Sequence, residues 1–298
     1  MNSTIAFYQQ RLNLKNASFT LIEHEDAIVA TVYRIVQSDG TEVILKICQR
    51  SHDYLREVFF LKHFANQLPV PKIVQVIEPT TNIHGAVLMQ CLPGTILKKT
   101  DLNETLAYEL GTLLARIHLN RTSGYGDLTQ PKSLTADPRV PFTEKFEEGL
   151  DECADHLPKS LIDQCREYYD AHCDLLNSVD GPCMIHRDFR PGNMIVNNGK
   201  LQGIIDWSSA RSSFAEDDFC PLEIGAWSSK PKIKTAFLSG YASVRPVPHY
   251  QALMPLLRLS RIIAAIGFMV KRGTWDGSSS HFYKSNRHLL DAFFKENL

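Results

Sequence analysis

No C-x-x-C pair occurs among the seven cysteines (Cys48, Cys91, Cys153, Cys165, Cys173, Cys183 and Cys220), and their number is odd. That spacing argues against both a disulfide framework and a zinc knuckle, so a reducing compartment, the cytoplasm, is expected. Neither sign of charge is in excess: 32 Lys and Arg stand against 33 Asp and Glu, a formal net charge of -1 over 298 residues. Nothing in that balance marks the chain for nucleic acid or for an acidic membrane surface. The balance also holds in parts, with eight basic and eight acidic residues through Cys91 and 24 against 25 beyond it.

Long hydrophobic runs are scarce as well. Met1 to Phe19 has no basic stretch followed by an apolar core, so no secretory signal is expected. The longest apolar stretch, Leu253 to Val270, contains Pro255, Arg258 and Arg261. Two arginines inside the span would be costly in lipid, which predicts a buried helix rather than a membrane span. No repeat period and no biased segment occurs. What is present is ordinary globular composition, 44% hydrophobic and 22% charged, enough for one large domain or two smaller ones.

The chain begins β-rich. Strand-like runs at Phe19–Ile22, Ile28–Val36 and Glu42–Cys48 include a hairpin turn at Ser38-Asp39-Gly40. A helix follows, with Ser51 as expected N-cap, Asp53 in its first turn, and Tyr54, Val58, Leu61, Ala65 and Leu68 at helical spacing. Pro69 and Pro71 end it. Two further strands, Ile73–Ile77 and Ala86–Cys91, lead to the break at Leu92-Pro93-Gly94. Beyond it the pattern is helical, opening on an expected capping box of Asp101 and Glu104 and a stripe of Leu102, Leu106, Leu110, Leu113 and Ile117. The expected division is a β-rich part over 1–91 and a mainly helical part over 92–298.

The chemistry concentrates between Met184 and Ser208. His186-x-Asp188 is followed by Asn193 and then by Ile204-Ile205-Asp206-Trp207. Apolar runs on either side of Asn197-Asn198-Gly199 read as a tight hairpin that would bring Asn193 and Asp206 to neighbouring strand ends. Phosphoryl transfer needs a group that orients the attacking hydroxyl and accepts its proton, and oxygen ligands for the magnesium that bridges the phosphates. Asp188 suits the first role; Asn193 and Asp206 suit the second. H-x-D-x-x-x-x-N would arise by chance in about three of a hundred chains of this composition, so the motif alone is only suggestive. Support comes from Lys46, set in the apolar run Val43–Cys48, and Glu57 on the following helix, the pairing used to hold nucleotide phosphates.

With these residues in place, the chain resembles the aminoglycoside phosphotransferase and choline kinase-like family, from about Phe19 to the C-terminal helices. The carriers are H-x-D-x-x-x-P-G-N, I-I-D-W, Leu110-Gly111-x-x-Leu114-Ala115-x-x-His118 and Gly124-x-Gly126. The resemblance implies an α+β, two-lobed protein-kinase-like fold with a β-rich N-lobe and a mainly helical C-lobe that holds the acceptor pocket. It implies transfer of the γ-phosphate of ATP or GTP to a hydroxyl of a small molecule, with Mg2+. Asp188 would be the catalytic base, Asn193 and Asp206 the metal ligands, and Lys46 the phosphate lysine with Glu57 as its partner. Main-chain groups of Gln90 and Leu92 would bond the base edge, and Asp218 would brace the catalytic loop. Neither nucleic acid, membrane nor an obligate protein partner is implied.

Two departures from the family pattern stand out. The loop Glu23–Ala27 has no glycine, although a backbone that closely approaches phosphates usually needs one. Arg187 and Arg190 replace Gly and His, giving a catalytic loop closer to that of protein kinases; Arg190 is a further catalytic candidate, placed to stabilise charge on the transferred phosphate. Glu144, Glu147, Glu148 and Asp151, with Glu216 and Asp217, are candidates to grip a cationic acceptor such as an aminoglycoside antibiotic; a solvated acidic face is the plain alternative. His118 is expected to be a satisfied core histidine. An amino alcohol or sugar as acceptor, a protein kinase, and a non-catalytic nucleotide-binding protein remain alternatives. No A-P-E follows Asp206, which opposes the second; the intact set Lys46, Glu57, Asp188, Asn193 and Asp206 opposes the third.

Overall fold

The structure is a computed structural model that describes residues 3–23, 30–227, 230–277 and 280–297. In chain order the elements begin with α1 (Ser3–Arg11), β1 (Ser18–Leu21), β2 (Ala30–Val36), β3 (Glu42–Cys48), α2 (Ser51–Phe64), β4 (Ile73–Ile77), β5 (Gly85–Gln90) and β6 (Thr95–Ile96). Then follow α3 (Glu104–His118), α4 (Arg139–Cys153), α5 (Lys159–His172), β7 (Cys183–Ile185), β8 (Met194–Asn197), β9 (Lys200–Ile204) and β10 (Arg211–Ser213). The last three are α6 (Pro231–Ala242), α7 (Met254–Lys271) and α8 (Ser280–Asn297). The chain forms two compact units, one of Met1–Leu113, His186–Ala210 and Lys232–Gly240, the other of Leu114–Ile185, Arg211–Pro231 and Tyr241–Leu298.

In the first unit a five-stranded antiparallel sheet has the order β1-β2-β3-β5-β4. Alternation along β3 puts Val43, Leu45 and Ile47 into a core with Tyr33, Ile35, Ala86 and Leu88, which Tyr8 and Leu12 of the α1 region cover. The Tyr8 hydroxyl donates to the His84 carbonyl at 2.8 Å and fastens that cover. The opposite alternation aims Lys46, paired between Val32 and Val87, away from this core. The expected turn is present: Gly40 has φ +84° and the Asp39 carboxylate accepts from the Thr41 N–H at 2.9 Å. β2 begins at Ala30, and residues 24–29, which hold most of the glycine-free loop, lie outside the described residues.

Two helix starts differ from expectation. Arg50, extended at φ -114° and ψ 136°, is the N-cap of α2, so Ser51 is already helical and makes no cap bond. Asp53 instead holds Arg50 through its guanidinium at 2.8 and 3.1 Å. For α3 the cap is Asn103, whose side-chain oxygen accepts from the Leu106 N–H at 2.9 Å, whereas Asp101 is turned to the Thr100 hydroxyl. The leucine stripe of α3 is buried throughout, as its spacing predicts. β6, β8 and β9 form a separate three-stranded ribbon, and the turn at Asn198 and Gly199 has φ +49° and +73°, which suits an Asn-Gly hairpin.

The second unit is mainly helical. α4 lies against α7, and its core joins Phe146, Leu150 and Cys153 to Leu256, Ile263, Ile266 and Phe293. α7 is long and apolar enough to cross a membrane, but its Leu257, Leu259, Ile262 and Met269 are buried within this unit. A two-stranded ladder pairs β7 with β10 in the same unit.

Candidate active site

β3 and α2 place the first part of the site. Lys46 Nζ lies 2.7 Å from Glu57 Oε2 and 2.7 Å from Asp206 Oδ1. Burial alone would push the Lys46 ammonium down, but Asp206 and Glu57 together outweigh it and hold the lysine above its ordinary value. Asp206 is likewise opposed by burial, yet the Lys46 charge and hydrogen bonds from Lys46 and Ser208 keep it below the usual carboxylate range. For Glu57, burial wins and raises it, although Lys46 opposes the rise.

The catalytic loop and the β8–β9 ribbon place the rest. Asn193 Nδ2 donates to the Asp188 backbone carbonyl at 2.8 Å and to its carboxylate at 2.7 Å. Arg190 Nε bisects the same carboxylate, 3.1 Å from each oxygen. Pro191–Asn193 is a short 3-10 turn closed by Asn193 N–H to the Arg190 carbonyl. Gly192 gives room for the arginine, since a Cβ there would stand 2.5 Å from Arg190 Nη1. At the far side of the ribbon, Ile205 N–H donates to the Asn193 carbonyl at 2.9 Å, so Asn193 and Asp206 do sit at adjoining strand ends. Asp206 and Arg187 adopt the left-handed region at φ +65° and +68°, strained for residues with a Cβ.

Three contributors were not among the expected site residues. The Ser208 hydroxyl donates to Asp206 Oδ1 at 2.7 Å and helps fix its rotamer. His186 bridges the loop, with Nε2 3.2 Å from the Ile205 carbonyl and Nδ1 accepting from the Asp188 N–H. Trp207, fully buried, stacks beside Phe60 and Phe64 of α2 and so joins the metal-motif residue to the helix of Glu57. The available signal was the i, i+3, i+7 spacing of Glu57, Phe60 and Phe64, which puts carboxylate and rings on one face.

At the expected base-binding segment, the Gln90 N–H already donates to the Lys72 carbonyl at 2.9 Å. This N–H is committed within the protein, so of the Gln90 main chain it is the carbonyl that is left for a base edge. Leu92 packs over β9 at Gly203.

The acidic candidates are largely engaged. Glu147 takes a forked bond from Arg166 at 2.8 to 3.2 Å, Asp151 lies 3.8 Å from the same arginine, Lys145 pairs with Glu148, and Lys271 reaches Glu152 at 2.5 Å. Glu144 is exposed. On this helix face Glu147, Glu148 and Glu152 are thus paired with neighbouring bases, while Glu144 and Asp151 stay exposed. Glu216 is 2% exposed, and one oxygen accepts from the Asp180 N–H at 3.0 Å while the other has no partner; burial pushes its carboxyl up to about 7. It is an interior group rather than an acceptor-facing one. Asp217 is half-buried. His118 is fully buried, 2.8 Å from the Tyr241 hydroxyl and 3.1 Å from Asp218. Burial lowers its pKa despite Asp218, so the neutral ring presents Nε2–H to the carboxylate and accepts at Nδ1, as a core histidine does.

The donor set suits a hard divalent cation. Asn193 spends its amide N–H on Asp188, which leaves Oδ1, and Asp206 keeps Oδ2 beside a Lys46-bound Oδ1. One amide oxygen and one carboxylate are what a magnesium site requires when phosphates and water supply the other ligands. Among the described residues no cluster of three or more His, Cys, Asp or Glu could hold a metal by itself.

Residues 21–246 match the model of the phosphotransferase enzyme family. A homoserine kinase of Gluconobacter oxydans (strain 621H) is 29% identical over 197 residues, 63% of this chain and 58% of that protein. A hygromycin-B 4-O-kinase of Escherichia coli is 22% identical over 208 residues, covering 63% and 57%. The chain therefore spans less than two thirds of the length of these relatives. Among solved structures, the GDP and kanamycin complex of APH(2")-IIia superposes with TM-score 0.72 at 14% identity, covering 99% of this chain and 100% of that one. A thermostable aminoglycoside phosphotransferase APH(4)-Ia with ADP and hygromycin B gives 0.71 at 14%, covering 99% and 98%. At such identities the likeness shows the fold, the kinase-like fold of aminoglycoside phosphotransferases. Matched to the family over well more than half its length, this chain belongs to the phosphotransferase enzyme family.

Proposed function

We propose that this chain transfers the γ-phosphoryl group of ATP or GTP to a hydroxyl of a small molecule, with Mg2+. The observation that carries the reading is the convergence of Lys46, Glu57 and Asp206 by 2.7 Å contacts, in the same unit as the Asp188–Asn193 pair. Lys46, oriented by Glu57, would hold the α- and β-phosphates, and Asn193 Oδ1 and Asp206 Oδ2 would hold the metal, which neutralises phosphate charge. The carbonyl of Gln90 and the peptide of Leu92 would meet the base. Asp188 Oδ2 takes both Asn193 and Arg190, but Oδ1 takes Arg190 alone and keeps a lone pair to accept the acceptor's O–H. The oxygen–phosphorus bond then forms as the β,γ-bridging bond breaks, the proton passes to Asp188, and the nucleoside diphosphate leaves. Arg190 would swing between Asp188 and the charge developing on the phosphoryl oxygens.

For the acceptor, the neutralised face of α4 favours an amino alcohol or hydroxy amino acid over a polycation, in line with the homoserine kinase relative. An aminoglycoside is the second reading, supported by the hygromycin-B kinase relative. We place the N-lobe boundary at Cys91 and expect a cytoplasmic enzyme acting without nucleic acid, membrane or obligate protein partner.

The test is a screen with labelled ATP and GTP against amino alcohols, hydroxy amino acids, sugars, aminoglycosides and a generic protein. Labelled small-molecule product, lost by about 100-fold or more in Asp188→Asn while nucleotide binding persists, is the expected result. Absence of nucleotide binding in the wild type sinks the reading.

A further inference from the structure

The β8–β9 ribbon is flanked by both expected metal ligands, Asn193 and Asp206, and the segment from Gln90 to Gly94 that holds the expected base-binding residues, the hinge, meets it at two glycines. At the first, Gly203, a Cβ would overlap Leu92 Cδ1 and stand 2.9 Å from the Pro69 carbonyl. The next residue, Ile204, donates its N–H to that same carbonyl at 2.8 Å, so β9 is bonded as well as packed there. At the second, Gly94 holds φ +115° with its missing Cβ aimed at the Val196 carbonyl, which any side chain would overlap. Just beyond, Thr95 and Ile96 pair with Val196 and Ile195, and Leu97 N–H donates to the Met194 carbonyl at 2.8 Å.

These contacts sit close to the metal ligands along the chain. Met194 directly follows Asn193, Gly203 precedes Asp206 by three residues, and the Ile205–Asn193 bond closes the ribbon at its metal end. The register shift beside Ile195 and Val196 bends the strands between the two glycine contacts. By contrast, the turn glycine Gly199 also has a positive φ, +73°, but meets nothing within 4 Å. The ribbon is therefore anchored to the hinge at its base and open at its tip.

We propose that Gly203 and Gly94 are positioning residues that couple the two halves of the donor site. By letting the hinge lie directly on the ribbon, they make occupation of the base-binding segment and occupation of the metal ligands mutually reinforcing. This rests on the function proposed above and goes beyond it, since neither glycine touches nucleotide or metal in that reading. Coupling of this kind is reciprocal, so it can be read from either ligand.

The test is calorimetric titration of the full chain with ADP, once in excess Mg2+ and once in EDTA. The ratio of the two dissociation constants measures the coupling. For the wild type we expect tightening by Mg2+ on the order of 10-fold, within the usual range for coupled sites. Gly203→Ala is expected to lower that ratio about threefold or more at unchanged stoichiometry, whereas Gly199→Ala, which strains only the open turn, keeps it. A general loss of stability would lower the stoichiometry in both variants and leave the ratio alone. If Gly203→Ala does not fold, Leu92→Ala removes the hinge side chain from the same contact without adding an atom and must lower the ratio instead. A wild-type ratio preserved in Gly203→Ala, or lost equally in Gly199→Ala, overturns the coupling. A wild type that binds no ADP under either condition overturns the proposed function itself, and the coupling with it.

Discussion

The indole of Trp207 stacks on the ring of Phe60, centroids 5.9 Å apart and planes 14° from parallel. Phe64 lies 5.0 Å from the same indole, and all three rings are fully buried. Because Glu57 shares a helix face with these phenylalanines, the stack sets how far α2 stands from Asp206. Trp207→Ala should destabilise the protein by about 3 to 5 kcal/mol, and Trp207→Phe by clearly less. Urea unfolding of both variants measures this.

Lys46 stands between two carboxylates in a buried setting. Lys46→Met leaves Glu57 and Asp206 facing each other without a cation, at a cost of about 3 to 5 kcal/mol. Lys46→Met combined with Glu57→Gln removes one of the stranded charges and should be more stable than Lys46→Met alone. Equal stability of the two would show that Lys46 is not what balances Glu57.

Glu216 has a folded pKa raised from 4.5 to about 7 by burial. A raised value means the protonated form suits the fold, so this contribution is full below about pH 4.5 and is lost as pH rises through 7. The loss is on the order of 3 kcal/mol. Glu216→Gln keeps an acceptor for the Asp180 N–H and cannot ionise. Its melting temperature should match the wild type at pH 5 and exceed it at pH 8.

Arg166 neutralises Glu147 and approaches Asp151 from α5; Asp151 is exposed, and Arg166 and Glu147 are partly so. Arg166→Gln should change stability by no more than about 1 kcal/mol. Freed of its cation, the α4 face should bind a polycationic aminoglycoside more tightly, with no change for an uncharged sugar. Steady-state or binding assays with both ligands decide it.

The sequence made the candidate site residues legible because their order and spacing are themselves the signal: Asn193 and Asp206 flank one hairpin that an Asn-Gly turn announces, and Asp188 lies five residues ahead of Asn193. Lys46 and Glu57 were legible for the same reason, being eleven residues apart on consecutive elements. The helix caps were not: Arg50 takes the role by backbone geometry alone, and at α3 the pattern offers two capping side chains, Asp101 and Asn103, of which Asn103 is used. The sequence left the acidic run open between a cation-gripping cluster and a solvated face, because bases that pair with it come from afar: Arg166 lies 19 residues from Glu147, and Lys271 lies 119 from Glu152.

Around the Lys46 and Asp188 contacts, three carboxylates, those of Glu57, Asp188 and Asp206, stand against two cations, Lys46 and Arg190. Left to itself this neighbourhood is net negative and repels a polyanionic phosphate donor. A dication inverts that sign, so the nucleotide and its metal should arrive as a single electroneutralising unit, and stripping the metal should turn an attractive site into a repulsive one.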